Sequence, residues 1–197
     1  MKSNYREIWP TPIGEYWLED MSIHEEIVNI INSVTWSGDD SMNLFSEPSR
    51  FQSWVEECIK HYTSKFNFPT ERVEFQRAWC TTQPQGHDNF IHVHNMFDIA
   101  CVYYVDVVSE HPPLEILDPR EPHKFSRVRR LMADGNIASS FFSIQIPPEK
   151  YKMIIHPGYL KHGVGINRLE IPRSSVAMNA KVFPPQSYRE PVLTKYA

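Results

Sequence analysis

Glycine is scarce in this chain, with seven residues against sixteen prolines in a length of 197. That balance stiffens turns and interrupts long helices, which argues against a helical bundle and for many short strands. Cysteine is scarcer still. Cys58, Cys80 and Cys101 are an odd set with no CxxC pair, so no disulfide framework is expected, only reduced and partly buried thiols with a structural role. Neither sign of charge dominates: 20 Lys and Arg against 24 Asp and Glu leave a net charge of −4, without the basic footprint of a nucleic-acid or membrane-surface binder. No apolar run approaches a membrane span, and the opening MKSNYREIWP is not built like a signal peptide. A cytoplasmic location is the resulting expectation. Repeats and low-complexity tracts are lacking too, and no break in composition marks a second domain. Residues 1–197 are therefore read as one domain, with enough apolar content, 41 %, for a sizeable core.

Along the chain, residues 5–18 carry Trp9, Pro10, Pro12, Ile13, Tyr16 and Trp17 and suit an edge strand, where prolines need not donate to a ladder. Ser22 is read as the cap of a helix, with Glu25 as its capping-box partner and an apolar stripe of Ile23, Ile27, Ile30, Ile31 and Val34. A second helix is expected at about 50–67, where Phe51, Trp54, Val55, Cys58, Ile59, Tyr62 and Phe66 recur at helical spacing as core. From residue 71 the texture is of strands: 72–82, 90–94, 99–107, 114–117, 141–146, 151–156, 163–168 and 173–183. The stretch 118–140 is charged and without periodicity, and suits a lid or a plain surface insertion equally. Short strands after a helical opening predict a mainly β fold, a jelly roll with N-terminal flanking helices.

The chemistry concentrates in three places. His92 and His94 stand at i and i+2 on an extended segment, which points both side chains to one face. His162 follows on a later strand, presented by the turn PGYLKH, and can close a three-nitrogen metal site for Fe(II), Mn, Zn or Cu. His156, in the run MIIHPG, competes for that third position. The others, His24, His61, His87, His111 and His123, fall on helix faces or loops with no expected partner. In the last strand, Arg173, Ser175, Ala177 and Asn179 share a face. An inward arginine needs a partner, and the carboxylate of a ligand or an internal acid would supply one.

These residues, in this order, resemble the Fe(II)- and 2-oxoglutarate-dependent oxygenases, in particular a small group found in bacteria and phages. The resemblance rests on the opening WPTPI, the segment HVHNMFDIACVYYVD and the segment HPGYLKHGVGINRLEIPRSSVAMN. The middle segment is also similar to the hypoxia-type prolyl hydroxylases. The resemblance implies a double-stranded β-helix that holds Fe(II), with His92 and His162 as the two histidines of the metal triad. It implies that Arg173 and Ser175 bind the distal carboxylate of 2-oxoglutarate and that Tyr104 contacts it. The implied reaction couples decarboxylation of 2-oxoglutarate to succinate with hydroxylation by O2 of a C–H bond in a small-molecule or peptidyl substrate. Neither nucleic acid nor a membrane is implied, and a homodimer is left open.

One position departs from the family. Most members have aspartate where this chain has His94, which removes a negative charge from the site. Asp98 could instead supply the carboxylate. The same departure raises a rival, because Gly86, His92, His94 and Asp98 resemble the first cupin motif with Asp in place of Glu, and a cupin would need no 2-oxoglutarate. Against it, no glycine closes that motif, and Arg173 with Ser175 has no role there. A third reading, a catalytically inactive binding module on the same fold, leaves the buried polar groups without a purpose.

Overall fold

The computed structural model of the protein describes residues 11–33, 44–119 and 143–189. Residues 120–140 of the candidate lid at 118–140, His123, Val34, and residues 5–10 of the opening strand lie outside them. In chain order the elements are β1 (Gly14–Trp17), α1 (Met21–Ser33), α2 (Arg50–Ser64), β2 (Arg72–Gln83), β3 (Asn89–His92), β4 (Ile99–Asp106), β5 (Leu114–Leu117), β6 (Ser143–Ile146), β7 (Lys152–Pro157), β8 (His162–Val164) and β9 (Arg173–Phe183). They build two antiparallel sheets, β1-β7-β4-β9-β2 and β3-β8-β5-β6. This is the double-stranded β-helix expected from the sequence, with β1 on an edge of the larger sheet, although the strand begins at Gly14, after the prolines.

The central strands of the larger sheet, β7, β4 and β9, are buried on both faces, and alternation along them assigns each side chain to one of the two. Cys101, Tyr103 and Val105 of β4, Met153 and Ile155 of β7, and Val176, Met178 and Ala180 of β9 join one core with Ile27 of α1 and Phe51, Val55, Ile59 and Tyr62 of α2. Val102 and Tyr104, together with Ile154, point the other way, toward Leu114, Ile116, Ile146 and Val164 of the smaller sheet. The helices thus support the back of the sheet whose front faces the functional residues. Their starts follow local capping. Ser49 is extended (φ −137°, ψ 159°) and its hydroxyl accepts from Gln52 N at 3.0 Å.

At α1 the cap is Asp20, two residues earlier than the expected Ser22. Its Oδ1 accepts from both Ser22 N and Ser22 Oγ, since a carboxylate outcompetes a hydroxyl as acceptor. Other boundaries also shift. α2 stops at Ser64, and Asn67 adopts a positive φ of 58° just beyond it. β8 is only three residues long, because Asn167 turns the chain: its Nδ2 donates to the carbonyls of Gln83 and Ile171.

Candidate active site

β3 and β8 are neighbours in the smaller sheet, and their register sets His92 opposite His162. Cross-strand pairing therefore brings the two rings together, with centroids 4.5 Å apart. β3 ends at His92, so His94 is not a strand residue as the sequence suggested. It opens a tight turn in which Phe97 N donates to His94 O, and His94 N in turn donates to Gly158 O at 2.8 Å. Gly158 permits this approach, since a Cβ there would lie 2.2 Å from Phe97 O. The turn keeps His94 on the inner side, 4.9 Å from His92 and 5.1 Å from His162 by ring centroids. One nitrogen from each of the three lies within 4.8 Å of the others, a spacing that fits a single metal ion.

The remaining ring nitrogens are engaged. His92 Nδ1 donates to Phe90 O at 2.6 Å and His162 Nδ1 donates to Leu160 O at 2.8 Å, which fixes the tautomers and leaves each Nε2 lone pair free. His94 Nδ1 lies 3.3 Å from the side-chain amide of Asn179. Burial, with the neighbouring imidazoles, pulls His94 down to about 4. Burial also pulls His162 down to about 4, against the hydrogen bond to Leu160 O. Both are therefore neutral and ready to ligate at pH 7.

Gly163 has the same role for β8 that Gly158 has for His94. A Cβ at Gly163 would sit 2.8 Å from Asn89 O and 3.1 Å from Ile91 Cα, so the two strands approach closely only because this residue has none. Gly163→Ala is expected to push β3 from β8 and separate His92 from His162. Fe(II) affinity, measured by anaerobic titration, should fall by on the order of tenfold while the far-UV spectrum is retained.

His156 lines the same cleft, with its ring 4.4 Å from His162, but it is not one of the three converging donors. Its Nδ1 donates to Pro157 O, and burial holds it neutral, down to about 3. Asp98 is turned away, with Oδ2 accepting from Val182 N at 3.0 Å on β9. Three histidines expected to lack partners have them. His24 Nδ1 meets Tyr103 Oη at 3.0 Å, and His61 Nδ1 meets Tyr16 Oη at 3.0 Å. His111 is buried, accepting from Val108 N and donating to Ile171 O. Sequence separation hid these pairings, and all three are structural.

Two buried histidines, His156 and His162, and the half-buried His94, all neutral in one cleft, make stability depend on pH. Each binds its proton more tightly in the unfolded chain, near 6.5, than in the fold. Their contribution is fully present above pH 6.5 and is lost as pH falls toward 4. Urea unfolding of the metal-free protein should show lower stability at pH 5 than at pH 7.5, by up to about 2 kcal/mol for each buried ring. An unchanged midpoint would mean that the rings are solvated.

The second half of the cleft is the front of β9 with its neighbours. Arg173 and Ser175 are 2 % exposed, and Arg173 Nη1 donates to Ser175 Oγ at 3.4 Å. The guanidinium lies 5.1 Å above the Tyr104 ring. Its Nε and Nη2 are buried without an acceptor, and among the described residues no carboxylate pairs with it. Tyr104 Oη is likewise buried, and the Arg173 guanidinium is the group it interacts with electrostatically. A cleft with about 520 Å³ of empty space, partly open to solvent, connects this group to the three histidines, and its described lining contains no acidic residue.

Fold and site together define a double-stranded β-helix protein with three converging imidazoles and a buried, unpaired arginine in one cleft. A family model described as "Putative 2OG-Fe(II) oxygenase" matches residues 77–179, just over half of the chain. The chain belongs to this family of oxygenases, whose cofactors are Fe(II) and 2-oxoglutarate. Solved structures agree in fold. HygX from Streptomyces hygroscopicus, with nickel and 2-oxoglutarate bound, is 8 % identical with a TM-score of 0.58, over 89 % of this chain and 83 % of that one. AviO1 from Streptomyces viridochromogenes is 13 % identical with a TM-score of 0.55, over 92 % and 93 %. A Pseudomonas putida prolyl-4-hydroxylase is 8 % identical with a TM-score of 0.55, over 87 % and 88 %. No curated protein sequence matches the chain. Among the described residues no helix is long and apolar enough to cross a membrane.

The residues present fit both cofactors. Two imidazoles with lone pairs freed by backbone hydrogen bonds, and a third beside them, are nitrogen donors suited to Fe(II). The orphaned Nε and Nη2 of Arg173 match the fork of one carboxylate.

Proposed function

We propose that this chain is a 2-oxoglutarate-dependent hydroxylase in which His92, His94 and His162 hold Fe(II), and Arg173, Ser175 and Tyr104 hold the distal carboxylate of 2-oxoglutarate. The observation that carries this reading is the pair of unsatisfied nitrogens on Arg173. A buried guanidinium without an acceptor costs several kcal/mol, and a bound carboxylate removes that cost through two charge-assisted hydrogen bonds. The Ser175 hydroxyl, held 3.4 Å from Arg173 Nη1, is placed to add a third. Tyr104, fixed by burial and pressed under the guanidinium, keeps the fork in its plane and offers its hydroxyl to the same ligand.

When bound, iron and 2-oxoglutarate would together supply the electrons that activate O2, with decarboxylation of 2-oxoglutarate to succinate. The chain supplies order and dryness. Val102, Leu114 and Val164 wall the cleft between the two ends, which excludes water and shields the site from competing reactions. With His94 in place of an anionic ligand, the protein donates no negative charge to the metal. The protein itself therefore leaves the centre more positive than an aspartate-bearing site would be.

Aerobic incubation with Fe(II) and 2-oxoglutarate should release succinate slowly without a substrate and faster with one. The cupin alternative requires Asp98 at the metal, and its carboxylate is committed to Val182 N. Stoichiometric iron binding with no 2-oxoglutarate binding by calorimetry would nevertheless replace the oxygenase reading by that one.

A further inference from the structure

Beside the metal end of the cleft, next to its wall residue Trp79, stands a second cation whose partner is missing. Arg77 lies on β2 in register with Asn179, and with Trp79 and Thr81 it shares the face that alternation turns toward the cleft. Its guanidinium stacks on Trp79, 5.1 Å from the ring centroid, and Trp79 in turn lies 6.4 Å from the His94 ring. Nε of Arg77 is buried with no hydrogen-bond partner, and the side chain makes no ion pair with any described residue. It is half-exposed, so the rest of the fork can meet a ligand arriving from solvent.

Charge points the same way. Fe(II), Arg173 and the two carboxylates of 2-oxoglutarate would leave the loaded site one unit positive, where aspartate in place of His94 would leave it neutral. Arg77 adds another unit, and no acidic side chain lines the described cleft. In a partly desolvated cleft, uncompensated positive charge attracts an anion. Resting on the oxygenase reading above, we propose that the substrate carries a carboxylate or phosphate group, which Arg77 binds beside Trp79 while the rest of the molecule extends toward His94. Arginine fits this role because its planar fork matches either oxyanion, and stacking on Trp79 pre-orders it.

The test uses the full chain loaded with redox-inert Zn(II) and saturating 2-oxoglutarate, titrated calorimetrically with benzoate, phenyl phosphate and neutral benzamide. At least one anion should bind roughly tenfold more tightly than benzamide, the size of one charge-assisted contact. Which anion binds tighter identifies the substrate's group. Arg77→Met keeps an apolar stem on Trp79 and should abolish the preference, whereas Arg77→Lys should retain part of it. Equal binding of benzamide, no binding of either anion, or a preference that survives Arg77→Met each overturns the assignment. Loading with 2-oxoglutarate is measured first in the same sample. Failure at that step counts against the oxygenase reading, and failure only with the probes counts against Arg77 alone.

Discussion

Replacing Arg173 by alanine should weaken 2-oxoglutarate binding to the metal-loaded protein by about 3 kcal/mol, roughly a hundredfold. Two charge-assisted hydrogen bonds would be lost at a site only 2 % exposed, where water cannot substitute for them. Arg173→Lys should fall between wild type and alanine, since a point charge replaces a planar fork with two free nitrogens. Ser175→Ala should cost about 1 kcal/mol, the one hydrogen bond its hydroxyl gives the carboxylate. Arg173→Met carries a second expectation of opposite sign. In the ligand-free protein the guanidinium is buried against Tyr104 with two orphaned nitrogens, so a volume-conserving apolar replacement should raise the melting temperature. Loss of 2-oxoglutarate affinity together with a gain in ligand-free stability would mark Arg173 as a residue kept for its ligand. Wild-type affinity in Arg173→Ala, by calorimetry on the Zn(II)-loaded protein, would sink the anchor.

Much of this arrangement was legible in the sequence, because it rests on local periodicity. The face shared by Arg173, Ser175, Ala177 and Asn179 follows from alternation in one strand, and all four do line the cleft. The apolar spacing of Phe51, Val55, Ile59 and Tyr62 likewise gave α2 and its buried side. What could not be read was set by contacts between distant segments. His94 owes its position to Gly158, 64 residues later, which lets the 94–97 turn lie against the end of β7. Nothing local distinguishes that turn from a continued strand. The pairings of His24 with Tyr103 and His61 with Tyr16 cross 79 and 45 residues. Arg77 gave no signal at all, because an arginine on an amphipathic edge strand is usually solvated. Only its stacking on Trp79 and its unmatched Nε set it apart.

The ligand set is decided by a comparison of four histidines and one aspartate. His92→Ala and His162→Ala should each reduce Fe(II) affinity at least about a hundredfold, because either change leaves two nitrogen donors on a site that converges from three. Each variant should keep its fold, since the sheet pairing at 92 and 162 is carried by backbone bonds. His156→Ala should lose stability from the cavity it leaves, by about 2 kcal/mol, yet bind iron stoichiometrically. Asp98→Asn should leave iron affinity unchanged, as its carboxylate serves Val182 N instead. His94→Asp tests the departure from the family directly. The carboxylate is shorter than imidazole but anionic, so iron should be retained and 2-oxoglutarate turnover preserved or raised. Anaerobic titration of these five variants, and of His94→Ala beside them, separates the alternatives. Full affinity in His162→Ala with loss in His156→Ala would move the third ligand to β7. Full affinity in both His94→Asp and His94→Ala with loss in Asp98→Asn would make Asp98 the ligand, and would require the 94–97 turn to rearrange when metal binds.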